Sequence, residues 1–101
     1  MNRSSRPHDK IVVELLREDP ELADTYLAAA LDEVSLDGGH QTLLAALRQV
    51  AEAQGMAAVA QHTGIPRESL YRTLSPTRSP TAKTLHAVLE AAGLKLTIQR
   101  V

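Results

Sequence analysis

The sequence predicts an all-α protein of five or six helices with a short β-strand at its C-terminus. Apolar residues recur with helical spacing along most of the 101 residues. The chain has two tyrosines as its only aromatic residues and no cysteine, so leucine and alanine must build most of the core. The length indicates one domain. Near the C-terminus, Leu94, Leu96 and Ile98 alternate with polar residues, which is the two-residue period of a strand.

The first third of the chain predicts a tail followed by two acidic helices. Residues 1–9 are expected to form a flexible basic tail. Asp9 can cap a helix over residues 10–18, although the β-branched run at 11–13 leaves a strand open. Pro20 suits the first turn of a helix, because amides there have no helical partner, so a second helix is expected from Pro20 to about Val34. Residues 10–36 thus form an N-terminal acidic segment.

Residues 40–93 predict the main helical domain. One helix is expected from Gln41 to Gly55, two short helices over residues 56–74, and a last helix that begins at Ser79 and Pro80 and ends at Gly93. The apolar residues that follow the helical period in the first and last of these helices are Leu43, Leu44, Leu47, Val50, Ala51, Leu85, Val88, Leu89 and Ala92.

The spacing within residues 56–74 is that of a helix-turn-helix unit. Ala60 is small where a second helix crosses close to it, and Gly64 can adopt the positive φ that turns the chain. Ile65 and Leu70 fill the core between the helices, which leaves the second helix with a polar outer face. Such a helix suits the major groove of DNA, although similar turns also join helices in domains that bind no DNA.

Charge is distributed unevenly along the chain. Residues 1–10 carry a net charge of +2, and residues 11–63 carry nine carboxylates and two arginines, a net charge of −7. Residues 64–101 carry a net charge of +4, so the total of −1 is the sum of an acidic segment, residues 11–63, and a basic C-terminal segment. Affinity for the DNA backbone depends on local lysines and arginines, so the back half is suited to phosphate.

The second helix of the helix-turn-helix unit supplies the candidate base contacts. Arg72 is the best candidate for a bidentate contact to guanine, and Arg67 for a base or phosphate near the helix start. Glu68 can accept a hydrogen bond from cytosine N4, but pairing with Arg72 one turn later is the favoured interpretation. Tyr71 can contact a thymine methyl or a phosphate, or pack against its own domain.

Further candidates contact phosphate. The amides near Gly55 and Met56 begin a helix, where backbone donors are unpaired and the helix dipole is positive. The other candidate DNA-binding side chains are Ser69, Ser75, Thr77, Arg78 and Lys83.

The predicted C-terminal strand, residues 94–101, has no sheet to join within a helical domain. Its unpaired amides and carbonyls need a partner, and the simplest is the same strand of a second copy across a two-fold axis. Leu94, Leu96 and Ile98 are therefore candidate dimerisation residues, and a homodimer is expected. The alternative is a tail that packs on its own domain or stays loose.

Three segments, GMAAVAQHTGI, RESLYRTLSP and SPTAKTLHAVLEAAGLKL, carry a resemblance. With residues 42–98 as a whole, they resemble the addiction-module antidote family, the HigA-like antitoxins with a lambda-repressor-like DNA-binding fold. Pro66 departs from the family pattern where a serine would commonly cap the recognition helix, and Arg78 and Ser79 stand in place of an expected glycine and asparagine. These departures concern loop geometry more than function.

The resemblance implies two activities. Such antidotes bind and neutralise a small basic RelE-like or HigB-like toxin that cleaves mRNA, and they repress their own operon by binding double-stranded operator DNA. The acidic residues 14–37 offer complementary potential to a basic toxin, although most such runs are simply solvated helix faces. A stand-alone phage-type repressor and a protein-interaction module without DNA binding remain as alternatives.

The sequence gives little support to an enzyme. The four histidines are far apart, with no paired spacing for metal, no cysteine to assist, and no glycine loop or nucleophile elbow. No catalytic residue, cofactor or metal is therefore expected. The lack of a signal peptide or a long apolar run favours a cytoplasmic protein with no membrane partner.

Overall fold

The computed structural model describes residues 6–75 and 78–101, with side chains described from residue 8 onward. The six helices within these ranges are α1 (Arg6–Glu18), α2 (Leu22–Asp32), α3 (Gly39–Gln54), α4 (Met56–Thr63), α5 (Arg67–Thr73) and α6 (Ala82–Ala91). No strand occurs in this part of the chain. The prediction of an all-α protein is therefore confirmed.

Helix α3 is the centre of the fold. It packs against α1, α2, α4 and α6, while α4 also contacts α5 and α6. Leu44, Leu47 and Val50 are almost completely buried along α3. A helix with neighbours on several sides needs apolar residues around most of its circumference, which explains why α3 has the largest set of buried residues.

A polar network ties the first three helices together. Gln49 of α3 is buried, its side-chain oxygen accepts a hydrogen bond from the Tyr26 hydroxyl of α2, and its amide nitrogen donates to Asp9 of α1. Arg48 Nη2 donates to the other Asp9 oxygen at 3.3 Å. Burial raises the pKa of Tyr26, and the negative charge of Asp9 raises it further.

Helix α1 is also held at its C-terminal end. Arg17 Nη2 donates to the Glu52 carbonyl at 3.0 Å, and Arg17 Nε donates to the Ala53 carbonyl at 3.4 Å. The Glu52 carbonyl also accepts from the Gly55 amide at 3.0 Å, so this arginine adds a second donor there and places a cation at the C-terminal end of α3. The same contact positions α1 beside the junction of α3 and α4.

The ends of several helices differ from the sequence-based boundaries. Helix α1 begins at Arg6, so residues 6–9 belong to the helix and not to a flexible tail, and the 10–18 segment is helical despite its branched residues. Pro7 and Asp9 both suit a first helical turn. Residues 1–5 of that tail lie outside the described residues. Helix α6 is capped by Thr81, whose hydroxyl accepts from the Thr84 amide at 3.1 Å, and not by Ser79 and Pro80.

The prediction of a C-terminal strand is wrong for the single chain. Residues 94–101 form no strand, because no neighbouring backbone of the described chain offers the paired amides and carbonyls that a strand requires. Leu94 still packs against the core and donates its amide to the Leu89 carbonyl at 2.8 Å. Leu96 and Ile98 are exposed.

Two glycines fix turns that orient the helices. Gly64 has a φ of 75°, as the turn between α4 and α5 was predicted to require, and its amide donates to the Ala60 carbonyl at 2.9 Å. Gly39, at the start of α3, allows a close approach of the preceding loop. A Cβ atom at this position would lie 2.0 Å from the Glu33 carbonyl oxygen.

The raised pKa of Tyr26 predicts a loss of stability in alkali. Below the unfolded-state pKa of about 10, Tyr26 is protonated in both the folded and the unfolded state, and its contribution to the free energy of unfolding is fully present. That contribution is lost as the pH rises from this value through the higher folded-state pKa. Above pH ~10, the free energy of unfolding measured in urea should therefore fall more steeply with pH for wild type than for Tyr26→Phe. Equal slopes for wild type and Tyr26→Phe would contradict the assignment.

Candidate nucleic-acid interface

Helix α5 is held by two leucines on one side. Leu70 and Leu74 have no exposed surface, and Ile65 in the preceding turn packs partly against the same core. The Ile65 amide donates to Thr63 Oγ1 at 3.1 Å, which fixes the turn. The sequence-based placement of Leu70 in the core is confirmed. The remaining faces of this short helix are left toward solvent.

The outward face of α5 carries four exposed side chains, those of Arg67, Glu68, Tyr71 and Arg72. Arg72 Nη2 donates to Ser69 Oγ at 3.4 Å. The two ion pairs among the described residues lie elsewhere, so the favoured pairing of Glu68 with Arg72 is wrong. The Glu68 carboxylate is consequently left free at the middle of the exposed face.

A groove of about 670 Å³ lies on one side of α5 and is called the α1–α5 groove. It brings together the predicted residues Gly55, Met56, Arg67 and Tyr71. The residues that complete its lining are Asp9, Lys10, Val13, Arg17, Arg48 and Glu52. Four cations thus face two carboxylates, and the N-terminal end of α4 lies at the same place. The Gly55 amide, which was predicted to be unpaired, donates to the Glu52 carbonyl at 3.0 Å.

A second groove, of about 310 Å³, lies on the other side of α5 and is called the α5–α6 groove. Its lining contains two arginines, several hydroxyls and no carboxylate: Ser69, Arg72, Thr73, Arg78, Ser79, Thr81 and Thr84. His40 at the start of α3 lies against this loop, with its Nε2 atom 3.3 Å from Ser79 Oγ and 3.4 Å from the Arg78 carbonyl oxygen. The loop is thereby tied to the central helix.

The grooves leave out three of the predicted phosphate contacts. Lys83 is exposed on α6 but lines neither groove. Ser75 is half-buried just after α5 and also lines neither. Thr77 lies outside the described residues.

Lys10, Arg17 and Arg48 were not anticipated from the sequence as parts of this surface. A signal was present for the first two, because residues seven apart share one face of a helix, so Lys10 and Arg17 had to lie together on α1. Nothing in the spacing revealed that this face of α1 turns toward α5.

The family model described as "Probable addiction module antidote protein" matches residues 8–100. The chain belongs to this antidote family. It is also similar to an uncharacterized protein of Haemophilus influenzae strain Rd, with 36% identity over 70 residues that cover 69% of this chain and 72% of the relative. No solved structure matches the chain. Membership of this family supports a role as an antidote, and antidotes in general have a toxin partner.

The antidote carries a separate acidic surface on its first two helices and their loops. Its exposed carboxylates are Glu14, Glu18, Asp19, Glu21, Asp24, Asp32, Glu33 and Asp37. Neither ion pair found among the described residues involves any of them. Exposed apolar side chains, including Leu15, Leu22 and Leu36, lie among these carboxylates along the chain. This surface offers negative charge and apolar area together.

The described part of the antidote holds no group of three or more histidine, aspartate or glutamate side chains that could bind a metal ion. Nor does any of its described helices combine the length and apolar character needed to cross a membrane.

Proposed function

We propose that this protein is the antitoxin of a type II toxin–antitoxin module, which neutralises a small basic RelE-like or HigB-like toxin and represses its own operon by sequence-specific DNA binding. The observation that carries the DNA-binding half is the position of α5, which has buried leucines behind it and a cation-lined groove on each side. Family membership supports the toxin-binding half.

The two grooves match the layout of a DNA major groove. A helix with its side chains is about 10–12 Å across and enters a major groove about 12 Å wide, which is bordered by one phosphate backbone on each side. Arg67 and Tyr71 face one groove of the protein, and Arg72 with Ser69 faces the other. Each backbone would therefore meet arginine side chains while the middle of α5 meets the base edges.

Glu68 takes a changed role in this proposal. Because Arg72 is bonded to Ser69, the Glu68 carboxylate is available to accept a hydrogen bond from a cytosine amino group. A carboxylate in the middle of the interface is repelled by phosphate, so it disfavours non-specific binding and increases discrimination between sequences. Tyr71, which is 41% exposed, can donate its hydroxyl to a phosphate from the edge of the α1–α5 groove.

Two copies on one operator would place two α5 helices in successive major grooves. The exposed Leu96, Ile98 and Val101 give the C-terminal tail apolar area that a second copy can cover. Leu94 already packs on its own core and would anchor the tail. A homodimer through this tail is thus part of the proposal.

Arg72→Ala should reduce affinity for a duplex selected by the protein from a random pool by about 1–3 kcal/mol and should relax the selected sequence. The reason is the loss of a bidentate donor that faces the DNA. Lys95→Ala is the control for loss of one charge, because Lys95 is exposed in the C-terminal tail and lines neither groove. Fluorescence anisotropy with selected and random duplexes measures both effects. An equal loss on the two duplexes would show that Arg72 contacts phosphate only.

The acidic surface is expected to bind the toxin. Replacing Glu14, Glu18 and Glu33 with glutamine should weaken neutralisation, because a basic RNA-cleaving toxin is attracted by these charges. The test is co-expression with the product of an adjacent reading frame that encodes a small basic protein, followed by growth and pull-down measurements. Glu90→Gln on α6 is the control for loss of one charge.

Full rescue of growth by the triple variant would contradict the role of the acidic surface. If wild type binds DNA but no adjacent product is toxic or co-purifies, the alternative of a stand-alone phage-type repressor is supported instead.

A further inference from the structure

The geometry points to a binding site for a DNA backbone phosphate in the α1–α5 groove, with Lys10 of α1 as its cationic ligand opposite Arg67 of α5. This inference rests on the proposed DNA-binding function and adds α1 to the interface. Its consequence is that the N-terminal helices take part in DNA binding as well as in toxin binding. The case depends on which cations of the groove are free.

Two of the four cations in the groove are already engaged. Arg48 bonds to Asp9, and Arg17 donates to the Glu52 and Ala53 carbonyls. The side chains of Lys10 and Arg67 make no hydrogen bond or ion pair with any part of the chain that the structure describes, and both are exposed. The groove therefore presents a free ammonium group on α1 and a free guanidinium group on α5.

The electrostatic balance of the groove favours an anion. Asp9 is offset by Arg48 and also accepts from the Gln49 amide, so its charge is largely compensated. Lys10, Arg17 and Arg67 then outweigh the single remaining carboxylate, that of Glu52. Tyr71 on the same wall supplies a hydroxyl donor. Cations and a neutral hydroxyl donor that line one groove suit the oxygens of a phosphate group.

The position of the groove indicates that the phosphate belongs to duplex DNA. Arg67 and Tyr71 are on the same short helix as Glu68 and Arg72, so an occupant of the groove lies beside whatever contacts the outer face of α5. When α5 enters a major groove, the nearest phosphate group on this side is that of the bordering strand. Lys10 would lie beside that DNA strand, because Arg17 and the hydrogen bonds of Asp9 fix α1 against α3.

Binding of a random-sequence duplex over a series of salt concentrations tests the site. Lys10→Gln should make the slope of log affinity against log salt shallower by about 0.9, because one phosphate contact is lost, and the change should be the same for random and selected duplexes. Lys95→Gln removes the same charge from the exposed tail, outside both grooves, and should leave the slope unchanged. A wild-type slope for Lys10→Gln, or an equal change in both variants, would overturn the inference.

The source of the phosphate is tested by NMR on the full chain. The Gly55 amide in the groove should shift on addition of duplex and should stay in place when inorganic phosphate is added at the same phosphate concentration and ionic strength. An equal shift with inorganic phosphate would overturn the assignment to the DNA backbone. If Arg72→Ala weakens duplex binding while Lys10→Gln keeps the wild-type slope, only this site fails. If the wild-type protein binds no duplex, the proposed function fails with it.

Discussion

The burial of Leu70 and Leu74 is the constraint on which the candidate interface depends. Burying a leucine contributes about 1.5–3 kcal/mol, and both side chains are wholly buried, Leu70 within a helix of only seven residues and Leu74 directly after its last residue. A helix this short has little stability of its own, so its orientation is set by these contacts and by the turn at Gly64. Arg67, Glu68 and Arg72 are left outside because no core position remains for them.

The central helix extends this constraint to the rest of the chain. Helix α3 contacts both the acidic front helices and the α4 and α6 helices that support the interface. Gln49 and Asp9 give α1 a defined register on α3, since a buried amide that lost its partners would cost about 1–3 kcal/mol. Helix α3 thus positions both the acidic front helices and the helices that line the two grooves, and α1 contributes to the acidic surface as well as to the α1–α5 groove.

Much of this arrangement followed from the sequence, and the exceptions have physical reasons. Helical periodicity and the glycine at 64 predicted the helices of the domain and the turn between α4 and α5, because both are local properties. The prediction of a strand over residues 94–101 was wrong. Alternating apolar and polar residues define an apolar face, but they supply no neighbouring strand to pair with the backbone amides and carbonyls. The pairing of Glu68 with Arg72 was also wrong, because Ser69 offered Arg72 a neighbouring acceptor. Lys10 and Arg48 entered the groove through tertiary packing, which spacing along one helix does not encode.

The most direct test of the account is the accessibility of position 68 in the free and DNA-bound protein. The chain has no cysteine, so Glu68→Cys and the control Ala29→Cys, on the exposed side of α2, each introduce a single thiol. The account predicts that a maleimide labels both variants readily in the free protein, and that saturating selected duplex protects position 68 but not position 29. Labelling of position 68 at the same rate in the complex as in the free protein would contradict the claim that α5 enters the major groove.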